Sequence, residues 1–265
     1  MKIKLSWIGF VPLVFGLVLF RIYQVLFVDT NIQTTLMDTN TMNLIFGCGI
    51  VLLLVLTAIF SFADKKTAPT YEVGSNFLGG LFLLLAGVCI GADAGMTLMK
   101  STANGVIDIA AIINGCISVL AAVAIACMGF VSITGKNFLK AHPVFMLVPP
   151  IWSCVRLIIT FMSYTTIAVA SKDVTDLIFM VFTTMFLYNA VMVFVGFPGK
   201  NSVKACFVYA MPAIATILAY TGALISRQVI AGTSLLTIEN VKYLEYIFLA
   251  LFMVFFLLEL TSRAK

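Results

Sequence analysis

Charge is what this sequence lacks. Asp, Glu, Lys and Arg together make up 10% of its 265 residues, against about 25% in soluble domains. A water-soluble domain of this size has no means of covering itself with so few polar side chains, so that class is excluded. Histidine is almost absent: His142 stands alone in a connection, without the carboxylate or thiolate neighbours of a metal site. The six cysteines (Cys48, Cys89, Cys116, Cys127, Cys154 and Cys206) all fall in apolar runs without CxxC spacing. That argues against redox, zinc or disulfide chemistry and for small buried side chains.

Catalytic signatures are missing too. There is no GxSG with a later histidine, no HExxH helix and no paired-glutamate protease motif. No TVGYG-like filter is present, and no span carries a retinal-type lysine. Two GK pairs occur, in Gly135-Lys-Asn-Phe-Leu-Lys-Ala141 and Gly199-Lys-Asn-Ser-Val-Lys-Ala205. A phosphate loop needs an earlier glycine and a strand before the GK pair, and both are lacking. The shared GKNxxKA pattern reads instead as a repeated turn, with glycine closing one helix and asparagine opening the next. The chain is expected to be neither an enzyme nor a binder of any cofactor or nucleic acid.

What the sequence has in abundance is apolar length: 62% of residues are hydrophobic and the mean hydropathy is +1.13. A helix needs about 20 apolar residues to cross roughly 30 Å of hydrocarbon. Such spans are predicted near 5–28, 44–62, 77–99, 106–133, 143–170, 174–197, 203–225 and 241–261. The expected fold is all-α, a polytopic transmembrane bundle forming one integral membrane domain over 1–265. The longest connections, near 29–43, 63–76 and 226–240, leave no room for a soluble domain between spans. An alternative has seven spans plus a re-entrant segment, because Pro149 and Pro150 interrupt the fifth.

The net charge of +5 reflects topology. With the N-terminus cytoplasmic, the inner side holds Lys2, Lys4, Lys65, Lys66, Lys136, Lys140, Lys200, Lys204, Arg263 and Lys265. The outer side holds Lys100, Lys172, Arg227 and Lys242. Ten against four is a positive-inside bias, and eight crossings place both termini in the cytoplasm of a bacterial-type plasma membrane. Lys2 and Lys4 before an apolar run imitate a signal peptide. Arg21 follows where a cleavage site belongs, so the segment is read as a retained helix.

Spacing suggests how the helices pack. Gly87, Gly91 and Gly95 form a smooth stripe on helix three, answered by Asn114, Ser118, Ala122 and Ala126 on helix four. This pair is expected to form the bundle interior. Helix eight, rich in phenylalanine over 247–258, is expected at the lipid-facing rim or in a partner interface. Pro12, Pro149 and Pro212 follow Lys4, Lys140 and Lys204 by eight or nine residues, placing kinks at a common depth.

Ionisable residues within spans are costly, and each is a functional candidate. Arg21, Asp93, Asp108, Arg156 and Glu245 all fall in the predicted outer half. Asp108 and Glu245 lie near helix ends, where a structural role suffices. Arg156 is near mid-span, with Trp152 one turn earlier and Tyr164 two turns later on one face. Asp93 should pair with Arg21 or Arg156, since an unpaired buried charge costs far more. Arg156, Asp93, Arg21, Trp152, Tyr164 and Asn114 are thus the candidates for a ligand site or an ion pair. An arginine there would suit a carboxylate or phosphate, and Asp93 would suit proton coupling.

The segment Pro149-Pro-Ile-Trp152-Ser-Cys-Val-Arg156-Leu, followed by Phe161 and Tyr164, resembles a group of uncharacterised bacterial multi-pass membrane proteins with a PxxWxxxRL helix. The resemblance covers helices five to seven and implies no activity. From the residues, the expected function is a transporter or ligand-binding permease-like protein with a polar pocket in the outer half of the bilayer. The alternative is a non-catalytic sensor or scaffold subunit. Expected partners are the bilayer, a small anionic ligand, and a second copy or a membrane subunit.

Overall fold

In a computed structural model, the residues described are 2–28, 39–63, 74–103, 108–136, 138–165, 171–196, 201–232 and 241–263. Among them the fold is all-α, a polytopic bundle: α1 (Lys2–Tyr23), α2 (Thr39–Phe62), α3 (Phe77–Ala103), α4 (Ile109–Thr134), α5 (Val148–Thr165), α6 (Ser171–Val195), α7 (Ser202–Ile230) and α8 (Val241–Arg263). Each carries a stretch long and apolar enough to cross a membrane. Their outward surfaces are apolar at mid-length: Phe15, Val51, Leu52, Val88 and Ile158 are each more than half exposed. Such a surface is stable in hydrocarbon and costly in water.

The helix boundaries depart from the sequence reading where local chemistry intervenes. The first span ends in a π-helical turn, Gln24–Val28, which places the Gln24 side chain in the interior. The fifth helix begins at Val148, after short 3₁₀ turns at Phe138–Ala141 and Phe145–Leu147. Pro149 and Pro150 therefore occupy the first turn of α5, where a missing N–H costs no hydrogen bond. The kink expected at Pro149 is not there, and α5 runs unbroken, unlike a re-entrant segment. Pro12 and Pro212 do lie inside α1 and α7.

In the first of the two repeated turns, the glycine takes the expected place. Gly135 closes α4 at φ 69°, and its N–H returns to the Val131 carbonyl. Asn201 stands at the start of α7 without a side-chain cap, while Gly199 and Asn137 lie outside the described residues.

The packing order is simple. Helices α3 to α8 form a closed ring in sequence order, each packing on the next, with α8 returning to α3. Helices α1 and α2 pack on each other and on α7. The α3–α4 hairpin is the most intimate pair, although only Gly87 of the expected glycine stripe is among its closest points. A Cβ on Gly80 would stand 2.6 Å from the Gly129 carbonyl, and one on Gly87 3.0 Å from that of Ala122. At Gly91 only the Ala122 methyl is near, and at Gly95 nothing lies within 4 Å. Helices approach along Gly80, Gly87 and Gly129, on the face shared with Ala122 and Ala126.

Two expectations about position are overturned. The interior helix is α7, with 72% of its apolar span buried, whereas α3 and α4 reach 39% and 44%. Alanines at 210, 213, 215, 219 and 223, all buried, let four neighbours approach α7 closely. Helix α8 does not lie at the rim: Leu249, Phe252, Met253, Phe256, Leu257 and Leu260 are all at most 2% exposed. Its phenylalanines pack across the ring, Phe252 and Phe256 edge-on to Phe186, and Phe256 stacked on Phe194 at 5.7 Å. The cysteines depart as well. All six are free thiols, with Cys206 buried but Cys48, Cys116 and Cys154 on outward helix faces.

Candidate functional site

One end of the ring is filled by those phenylalanines, and the other by charge. The site starts from α5, where Trp152 and Arg156 are one turn apart and share an inward face. Trp152 is buried, and its indole N–H donates to Ser118 Oγ on α4 at 2.8 Å. The anchored ring lies under the guanidinium, 5.5 Å from the Arg156 Cζ. Tyr246 of α8 approaches from another side at 5.2 Å. Both separations are within cation–π range.

Two carboxylates complete the group. Arg156 Nη1 donates to Glu245 Oε1 at 2.6 Å, and Nη2 stands 3.6 Å from Asp93 Oδ2. The first is a charge-assisted hydrogen bond; the second is an ion pair too long to be one. Side-chain exposure falls from 27% at Asp93 through 13% at Arg156 to 0% at Glu245. Glu245 Oε2 is buried and accepts no hydrogen bond. The triad draws on α3, α5 and α8, three helices that come together only through closure of the ring.

Of the two partners open to Asp93, the geometry selects Arg156. Arg21 belongs to a separate network, donating to Gln24 Oε1 at 2.7 Å and Asn43 Oδ1 at 3.0 Å. Gln24 Nε2 donates to the same Asn43 oxygen, and the guanidinium lies over Phe46. Asn114 sits one turn from Ser118 towards the start of α4. Because α4 and α5 run antiparallel, it is level with Arg156, and its buried Oδ1 has no hydrogen-bond partner. Tyr164 lies in α5, but its side chain is outside the described residues. Asp108 has a structural part: it caps α4 by accepting from the Ala111 N–H. Asn189 donates to the Met185 carbonyl of its own helix.

Sequence reasoning placed Glu245 near a boundary and overlooked Tyr246. The signal was the helical period of α8, where Leu249 and Phe252 follow Glu245 at spacings of four and seven and both are buried. A carboxylate on that face had to enter the ring. Beside Tyr246 lies a further polar pair, in which the Tyr220 hydroxyl donates to Asp176 Oδ2 at 3.2 Å. Phe179 packs on both Tyr220 and Tyr246. Among the described residues, no three His, Cys, Asp or Glu side chains are grouped to hold a metal ion.

Chemically, the triad is a buried ion cluster with one cation and two carboxylates. It can hold three helices in register, and it can bind a small polar group or take part in charge movement. No protein-family model matches this chain, and neither a curated protein nor a solved structure shows significant similarity to it.

Proposed function

We propose that this multi-pass helical protein is a transporter or ligand-binding permease-like protein of the plasma membrane. Its working centre is the Arg156–Glu245–Asp93 triad, and both termini are cytoplasmic. The observation that carries the reading is the imbalance inside the ring: two carboxylates share one guanidinium, and one buried carboxylate oxygen is left without a donor. Ion clusters serving only packing gain nothing from a surplus buried charge, whereas intramembrane ionisable groups mark ligand and ion routes. The ten-to-four lysine and arginine bias supports the orientation, which puts the triad in the outer half. The phenylalanine-filled remainder of the ring would then separate it from the cytoplasm.

A sensor or scaffold role drew support from short connections and from a rim position for α8; the burial of α8 removes the second of these. The test is a thermal-stability screen of purified wild type and Arg156→Ala against amino acids, amines, organic acids and lipids. A compound that stabilises only the wild type supports the reading, by mass action on the folded state. If no compound shifts the wild type and the variant only melts earlier, the triad is a structural ion cluster.

A further inference from the structure

The expectation of an anionic ligand rested on Arg156 alone, and the two carboxylates around that residue argue for the opposite charge. An incoming carboxylate or phosphate would meet a guanidinium already hydrogen-bonded to Glu245 and ion-paired with Asp93. It would also add a second surplus negative charge to a site largely withdrawn from water, where charge imbalance is most costly. An incoming cation does the opposite. It brings two positive charges against two negative ones.

We propose that the triad takes a small organic cation whose ammonium or guanidinium group donates to Glu245 Oε2 and Asp93 while Arg156 remains in place. Three observations support this class. Glu245 is fully buried, yet its Oε2 is an acceptor with no donor. Leaving such an oxygen unpaired is costly in a folded protein, and more so for a charged group. Asp93 lies 3.6 Å from Arg156 Nη2, beyond hydrogen-bond range, and keeps 27% of its side chain exposed. Its side chain therefore keeps surface at which an N–H donor can be received. Finally, the surroundings already hold a cation of this chemistry, the guanidinium of Arg156 over the faces of Trp152 and Tyr246. Nitrogen donors of ammonium or guanidinium type suit these carboxylates, since such groups give several N–H bonds from one positive centre.

This inference rests on the triad being a ligand site, so the experiment separates the two claims. Detergent-solubilised wild type, Glu245→Gln and Asp93→Asn are titrated with methylguanidinium chloride and ethylammonium chloride. Parallel titrations use NaCl at matched ionic strength and sodium acetate and sodium phosphate as anions, with stability read as Tm. Size-exclusion profiles establish that each variant folds; both substitutions leave Arg156 one carboxylate, so a neutral pair remains. The expected result is a saturable rise of about 3 °C in wild type with an organic cation. It should be lost in Glu245→Gln and weakened at least tenfold in apparent affinity in Asp93→Asn. A rise with NaCl alone overturns the organic class. A rise with acetate or phosphate, absent in Arg156→Ala, overturns the cationic class but leaves the ligand-site reading standing. If no titrant shifts the wild type, the proposal is overturned; if the metabolite screen above is equally flat, the ligand-site reading falls with it.

Discussion

Arg156 and Glu245 meet at 2.6 Å although 89 residues separate them in the chain. The intervening segment contains α6 and α7, so the contact forms only once the later ring helices have closed against α3 and α5. The pair therefore reports on the whole ring, not on a local turn. It also ties the most buried carboxylate of the triad to a helix whose position is independently fixed by the Trp152–Ser118 hydrogen bond.

Removing the cation should be more harmful than removing cation and carboxylate together. Arg156→Ala leaves Glu245 and Asp93 facing each other without compensation, and breaking a buried pair in this way costs about 3–5 kcal/mol. In Arg156→Ala/Glu245→Gln, one carboxylate charge is gone along with the guanidinium. The double variant should recover at least about 1 kcal/mol relative to the single. A double-mutant cycle by chemical unfolding in detergent checks this, and strictly additive losses would refute the coupling.

Ser118→Ala should destabilise more than the loss of one small hydroxyl suggests. It strips the acceptor from a buried indole N–H, and an orphaned buried donor costs about 1–3 kcal/mol. Trp152→Phe in the Ser118→Ala background removes that orphan as well. The second substitution should then cost less than it does in wild type, as measured by unfolding midpoints of the four proteins.

The number of helices and the all-α class were legible, because charge scarcity and span length are strong signals; the partner of Asp93 was legible only as one of two arginines, Arg21 or Arg156. The arrangement of the helices was not. Lipid tails are as apolar as leucine, so a phenylalanine-rich helix looks the same in composition whether it faces lipid or the ring interior. That is why α8 read as a rim helix, and why the alanine face of α7 went unnoticed. Glu245 was underrated for a related reason. Distance from a helix end measures depth along the span, whereas its burial follows from which face of α8 it occupies.

The glycines of α3 separate into two kinds by what surrounds them. At Gly80 an added Cβ meets the Gly129 carbonyl and Ile133 at 2.6 Å, and backbone cannot give way. Gly80→Ala should force α3 from α4 and lower Tm by several degrees, since overpacking typically costs about 1–3 kcal/mol. At Gly95 nothing lies within 4 Å. Gly95→Ala should therefore be neutral or stabilising by up to about 1 kcal/mol, through the helix propensity gained. Equal losses at the two positions would contradict the hairpin geometry.

Orientation decides which compartment the triad faces, and the cysteine pattern makes it measurable. All six native cysteines lie within helices that have spans long enough to cross the membrane, so an impermeant thiol reagent should label the wild type poorly. Lys136 and Ala231 are exposed at opposite ends of the bundle, just after α4 and α7. In intact bacterial cells, Ala231→Cys should react with an impermeant maleimide, and Lys136→Cys only after the membrane is opened. That pattern follows from a basic end held at the cytoplasmic face. In that orientation Asp93, the most exposed member of the triad, would lie nearer the outer face. The reverse pattern would turn the triad towards the cytoplasm and make it a site for ligands arriving from within.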